Sequence, residues 1–302
     1  MGVKAVILQV ITHGQGPKGQ YLLLSTFLFI LPLMTKQFRT DFSSYRFIET
    51  DDQSQTLFSE YFNESCHSST GAVEETLYNY IKGCEILTRA PKAESFTIFE
   101  VGFGPGVGAL KTFDLLEEVG CDSEIHFIST EIDPGLVEWA KKEYAAVKYQ
   151  NFPSFSDLEL VSQPTAQYYW AQGQNGSTFT IILGDARQAV PASVEAGKLK
   201  SNLVNAIYQD PFSPKRNPSL WTVEWFDLLK KISADDCILA TYSASSTIRK
   251  SMLEAGWRVR NVKGFTGKRS STRASLQGDE DGELTDFLLR SKLHPLRDVD
   301  LE

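Results

Sequence analysis

Four apolar runs of this chain stop in the same manner, at a carboxylate or at glycines with a carboxylate beside them. The first, FTIFE, passes through Glu100 into a turn holding Gly102, Gly104 and Gly106. Glycines there let a ligand approach the backbone, and the N-terminus of a following helix offers unpaired N–H groups. The second run ends at Glu131 in STEIDP. A carboxylate at that place accepts both hydroxyls of a ribose and disfavours a 2′-phosphate. The third ends in Leu183-Gly-Asp-Ala, where Asp185 suits an adenine amino group and the Ala186 N–H a ring nitrogen. The fourth, LVNAIY, ends at Asp210, and the segment that follows, PFSPKRNPSLW, carries three prolines. Prolines restrict the chain and forbid a helix, so this loop is stiff around one carboxylate.

Each ending also has a plainer reading. The dinucleotide pattern GxGxxG fails from Gly102, because its sixth position is Val107; the relaxed GxGxxA fits from Gly104 through Ala109. A tight structural turn competes with it. Asp133, ahead of Pro134, is the natural cap of the second helix, and Asp185 is equally a cap for the third. The recurrence at successive strand ends favours an adenosine site over a set of caps. A nicotinamide enzyme is disfavoured, since no hydride-transfer constellation accompanies the loop.

The elements that must carry these residues alternate. From residue 96 onward apolar strands are separated by amphipathic helices: GALKTFDLLEEVG, PGLVEWAKKEYAA, ARQAVPASVEAG, LWTVEWFDLLKKI and SSTIRKSMLEAG. That order predicts an α/β protein with a doubly wound, mostly parallel sheet, whose ligand lies at the C-terminal strand edge. Residues 147–177 are polar and aromatic and read as an inserted lid or loop. Upstream, FIET-DDQS-QTLFSEYF reads as a hairpin, and SSTGAVEETLYNYIKG as a capped helix ending at Gly83. The expected organisation is an extension over 1–44, a hairpin and helix over 45–95, and the main domain over 96–302.

Composition limits the classes. The chain has 302 residues, 42% hydrophobic and 23% charged, with a formal charge of −8. That balance suits a globular protein and argues against bulk nucleic-acid binding, though not against a local basic patch. One such belt runs from Arg249 to Arg273, where Lys250, Arg258, Arg260, Lys263, Lys268 and Arg269 also lie and Glu254 is the one acid. Lys268 and Arg269, in the glycine-rich GFTGKRSSTR, are the candidates for phosphate contact; a solvated helix face is the plain reading of Arg249 and Lys250. The four cysteines and four histidines are scattered, with no zinc pattern, so no metal and a reducing, cytoplasmic compartment are expected. Residues 21–34, YLLLSTFLFILPLM, fall short of the roughly 20 apolar residues of a membrane span. No cleavage site follows them, so a true start at Met34 is the expectation, a weak anchor the second reading, and no stable membrane association is expected.

The order and spacing of these motifs resemble the class I S-adenosylmethionine methyltransferases. The segments FEVGFGPG, LGDA, YQDPFSPKRNPSLWTVEWF, ATYSASSTIRKSMLEAGW and KGFTGKR resemble, more narrowly, the methyltransferase domain of the MnmC family, over roughly residues 45–275. ESCHSSTGAVEET upstream is similar to the segment that leads into that domain. The resemblance implies an S-adenosylmethionine cofactor held by Glu100, Gly102, Gly104, Gly106, Glu131, Asp185 and Ala186. It implies methylation of the 5-aminomethyl group on a modified wobble uridine, with the tRNA anticodon stem-loop as partner. Many members also carry an FAD oxidase domain; this chain resembles the standalone form. CHS stands where an aromatic is expected before His-Ser, which leaves His67 without a role.

Within that reading Asp210 is the catalytic candidate. It can accept an amine N–H and stabilise the cation forming on nitrogen. An unperturbed Asp, with a pKa of about 3.9, is poorly matched to abstract a proton from an alkylammonium, so orientation ranks above base catalysis. Phe212 and Trp221 are the aromatics placed to stack on a flipped-out base; the competing reading of Trp221 is a core residue at a helix start. The competing function is an aminopropyl transferase of the polyamine-synthase type, which shares the glycine loop, TEIDP and GDAR; a further one is an inert nucleotide-sensing or RNA-binding domain. Oligomeric state leaves no signal in the sequence.

Overall fold

The computed structural model describes residues 37–301, apart from 164, 165, 198, 200, 267–269 and 279. The apolar run at 21–34, the start expected at Met34, and Lys268 and Arg269 all lie outside the described residues.

Two sheets form. The smaller is an antiparallel meander of β1 (Gln37–Arg39), β2 (Ser44–Glu49), β3 (Gln55–Ser59) and β4 (Glu64–Ser65), in that order. The hairpin read from the sequence is β2–β3, turning at Thr50–Ser54. Behind it α1 (Ala72–Thr76) continues into a π-turn (Leu77–Ile81), followed by α2 (Ile86–Arg89). The helix expected over this stretch exists. Its cap is not a serine or threonine hydroxyl: Gly71 occupies the cap position without a side-chain bond. The Glu75 carboxylate instead accepts the Ser68 N–H at 2.8 Å.

The larger sheet contains β5 (Ser95–Val101), β6 (Glu124–Glu131), β7 (Glu159–Gln163), β8 (Ala166–Gln172), β9 (Thr178–Leu183), β10 (Val204–Gln209), β11 (Ser233–Thr241), β12 (Arg258–Lys263) and β13 (Ser270–Ser275). Across the sheet they stand in the order β12-β13-β11-β10-β5-β6-β9-β8-β7. Strands β11, β10, β5, β6 and β9 run parallel; the outer pairs are antiparallel. The helices that connect or flank them are α3 (Val107–Glu118), α4 (Pro134–Glu143), α5 (Ala186–Glu195), α6 (Val223–Ile232), α7 (Ser246–Glu254) and α8 (Gly282–Arg290). The doubly wound α/β fold is therefore as expected.

Central strands covered on both faces must be apolar on both. In β5, Phe96 and Ile98 enter one core with Phe113, Phe127 and Phe179, while Phe99 and Val101 enter the other with Ile207, Trp225 and Leu239. The chain leaves β5 toward β6 on one side and meets β10 on the other. That reversal of strand order opens a crevice beyond the C-terminal ends of β5 and β10, where such sheets bind ligands.

Two expectations are corrected. Residues 147–177 are not an irregular lid: β7 and β8 form a hairpin that extends the sheet beside β9. Along β8 Tyr169 and Ala171 turn inward while Trp170 and Gln172 face out, the alternation of a strand with one face on the core. The solvated helix face expected at Arg249 is the second: Arg249 is buried, as is Arg273 in β13, whereas Arg258 and Lys263 in β12 are exposed. Arg249 donates to Thr272 Oγ1 at 2.8 Å, Asn261 Oδ1 at 2.8 Å and Ser271 O at 3.0 Å. Arg273 donates to Thr272 O and Tyr78 O. No helix among the described residues is long and apolar enough to cross a membrane.

Candidate active site

At the crevice lies a cavity of about 560 Å³, within the range of small-molecule and cofactor sites. The turn after β5 forms its floor. Gly102 (φ 92°) and Gly104 (φ 54°) take left-handed conformations that only glycine holds without strain. A Cβ on Gly102 would stand 3.1 Å from Asp210 O, so the glycine turn and the loop after β10 are in backbone contact. Gly106 (φ 79°) does something else. It begins α3 and faces the rings of Phe103 and Phe155, outside the cavity lining, so its part is to shape the turn.

Glu100 is only 4% exposed and lies beneath the first turn of α3, where a Cβ on Gly108 would collide with its Oε1. It accepts the Ser129 hydroxyl at 2.7 Å. Burial pushes its pKa up to about 8, against that hydrogen bond. Glu131 borders the cavity and accepts two backbone N–H groups, from Asp133 at 2.9 Å and Gly104 at 3.1 Å. Burial raises it to about 7, and the backbone bonds restrain the shift.

These two groups make a pH prediction. A carboxyl whose pKa is higher in the folded than the unfolded state binds more protons when folded, so stability falls as pH rises through the folded value. Half-buried His67, whose pKa is pushed down by desolvation, contributes in the opposite sense, but only below its ordinary value of 6.5. Between pH 6.5 and 8 the thermal midpoint of the cofactor-free protein should therefore fall. Glu100→Gln should flatten that slope in a scanning-fluorimetry series; an unchanged slope would remove Glu100 as its source.

Asp185 has a structural role and also a place at the cavity. It caps α5, accepting the Arg187 N–H at 3.0 Å, and it also borders the cavity with Ala186.

Asp210 sits at the end of β10, its N–H donating to Val101 O at 3.2 Å. Its carboxylate accepts the hydroxyl of Tyr80, which is buried. Burial first, then the Asp210 charge, holds the Tyr80 phenol well above its usual pKa, so it stays a neutral donor. Tyr80 belongs to the π-turn, and such turns re-aim side chains within a helix, frequently at functional sites. The loop after Asp210 is pinned along its length. Tyr242 OH donates to Pro211 O at 2.9 Å, the Ser213 N–H to Glu64 Oε2 at 2.9 Å, and Gln209 Nε2 to Leu220 O at 2.6 Å.

The aromatic expectations divide. Phe212 is half-buried and lines the cavity. Trp221 is 0% exposed, packs in the core and donates its indole N–H to Phe212 O at 2.9 Å. It has no face to offer a base, and its core reading replaces the stacking one.

The sequence reading missed one whole wall. Tyr45, Phe62, Cys66 and His67, all from the small sheet and the chain just after it, line the cavity. Tyr45 OH donates to Asp133 Oδ2 at 2.8 Å, fastening this sheet to the turn after Glu131. Phe62 stacks on Phe212, ring centroids 4.3 Å apart at 22°. His67 pairs with the Thr56 hydroxyl at 2.9 Å, and burial pushes its pKa down, so it is a neutral wall residue. The available signal was ESCHSSTGAVEET, whose resemblance to a segment leading into the MnmC domain tied this stretch to the site.

A family described as S-adenosyl-L-methionine-dependent methyltransferase matches residues 157–277. The bifunctional MnmC of Paraburkholderia xenovorans, named for tRNA 5-methylaminomethyl-2-thiouridine biosynthesis, is 30% identical over 227 residues, 71% of this chain and 32% of its own length. The protein of the same name from Hahella chejuensis is 32% identical over 228 residues, 72% of this chain and 34% of its own. The crystal structure of MnmC2 from Aquifex aeolicus superimposes with a TM-score of 0.66 at 26% identity, covering 87% of this chain and 81% of that one. The domain is MnmC-like. The chain spans about a third of the length of the curated MnmC relatives it matches. An MnmC-like methyltransferase reading is favoured over an aminopropyl transferase, and S-adenosylmethionine is the cofactor the family uses. The residues present fit it: Gly102 and Gly104 leave the turn bare of side chains, and the carboxylates of Glu131 and Asp185 border the same cavity.

Proposed function

We propose that the protein methylates the 5-aminomethyl nitrogen of a modified wobble uridine in the tRNA anticodon stem-loop. The observation that carries this reading is the backbone contact between the Gly102 turn and Asp210. It sets a rigid carboxylate beside the cofactor cradle, and the MnmC relatives supply the substrate class. Bound S-adenosylmethionine supplies a sulfonium methyl group. Asp210 accepts an N–H of the neutral amine, so the nitrogen lone pair points along one axis. As the new N–C bond forms and the S–C bond breaks, positive charge grows on nitrogen, and the Asp210 carboxylate stabilises it. The extra proton then leaves to solvent. Residues 96–302 form the catalytic domain in this scheme, and 45–95 close its wall. The described cysteines are free thiols, in keeping with a cytoplasmic site of action.

The test is direct. Protein incubated with methyl-labelled S-adenosylmethionine and tRNA bearing 5-aminomethyl-2-thiouridine should yield labelled 5-methylaminomethyl-2-thiouridine on nucleoside analysis. Absence of label in tRNA, with aminopropyl transfer to putrescine from decarboxylated S-adenosylmethionine instead, would overturn the reading.

A further inference from the structure

We infer that the rim of the cavity is a nucleotide subsite, in which the Phe62–Phe212 pair takes the acceptor base and Lys215 and Arg216 take its flanking phosphates. The inference rests on the function proposed above and identifies which residues read the substrate.

Phe62 lies in the turn between β3 and β4, and Asn63 beside it takes a left-handed conformation (φ 52°) that closes this turn tightly. Its ring lies on Phe212, and both rings border the cavity. The neighbouring Tyr61 also borders it and is 62% exposed. Large rings left at a cavity mouth, rather than in the core, offer π-faces on which any base can stack. The turn and the catalytic loop are tied together by the Glu64–Ser213 bond, so the aromatic pair is set before a ligand arrives.

The cations are those that the cavity wall itself presents. The protein carries a net charge of −8, so attraction to RNA must be local. Arg249 and Arg273 are buried and committed to protein acceptors, and Lys250 donates to Ser291 O at 3.1 Å. Lys215 and Arg216 are exposed, line the same cavity as Asp210, and form no ion pair with a described residue. Their backbone is fixed by flanking Pro214 and Pro218 and by the Arg216 and Asn217 N–H groups, which both reach Ser213 O at 2.8 Å. A cation on a fixed loop loses little freedom when it meets a phosphate.

Binding of a fluorescein-labelled anticodon stem-loop, followed by anisotropy, tests this without requiring turnover. Lys215→Glu with Arg216→Glu should weaken binding at least about tenfold and reduce the slope of log K against log salt by about 1.4, the value for two single-strand phosphates. The thermal midpoint should stay near that of the wild type, since both side chains are exposed. Phe62→Ala should raise KM for both nucleoside and tRNA, and Phe62→Leu, which keeps the apolar packing, should raise both as well. Unchanged RNA affinity and salt slope in the charge variant, or no RNA binding by the wild type, would overturn the subsite. RNA binding with these losses but no methylation would sink the proposed function and leave the subsite standing.

Discussion

Asp210→Asn is expected to lower kcat by about 10²–10³-fold while leaving the dissociation constant for S-adenosylmethionine within about twofold of wild type. Asparagine keeps the shape and can still accept the Tyr80 hydroxyl. It removes the negative charge that answers the cation forming on the acceptor nitrogen. It also presents an NH₂ group that competes to donate toward the amine. The cofactor cradle should survive, because what Gly102 meets is the backbone carbonyl of residue 210, not its side chain. Single-turnover kinetics with titration calorimetry separates the two effects. Loss of cofactor affinity with turnover retained would place Asp210 in a cofactor role instead.

A milder version of the same experiment is informative. Tyr80→Phe deletes a hydroxyl that holds the Asp210 carboxylate and leaves its charge intact. The carboxylate then keeps its chemistry and loses its aim, so the deficit should be smaller than that of Asp210→Asn.

The strand ends were legible because each is a long buried run stopped by a polar residue, a local pattern that needs no knowledge of the rest of the chain. Glu100, Glu131, Asp185 and Asp210 accordingly fall at one sheet edge. The residues that were missed depend on contacts between distant segments. Phe62 meets Phe212, and Tyr80 meets Asp210, across more than a hundred residues of chain. In LYNY the tyrosine reads as one more core aromatic, and nothing in the spacing announces a π-turn. The arginines misled for a different reason. Charged side chains are exposed by default; Arg249 and Arg273 escape that rule because β12–β13, joined for Arg273 by Tyr78 O, supplies carbonyl, amide and hydroxyl oxygens to their guanidinium groups. The hairpin of residues 159–172 was hidden because half of an edge strand faces water, and its polar residues imitate a loop.

The second large effect concerns Trp221, where the two readings predict opposite observables. As a fully buried core residue, its truncation to Ala should destabilise the protein by about 3–5 kcal/mol, through lost burial and the cavity left behind. As a base platform, the same change would leave thermal stability near wild type and raise only the tRNA KM. Trp221→Phe sharpens the distinction. It retains most of the packed volume but loses the indole N–H that holds the Phe212 carbonyl. Its stability cost should therefore be well below that of Ala, and its remaining defect should appear as a raised KM, because the Phe212 ring is no longer fixed against Phe62. Thermal unfolding paired with tRNA kinetics reads both quantities. An Ala variant as stable as wild type would return Trp221 to the substrate and deprive the proline loop of its anchor.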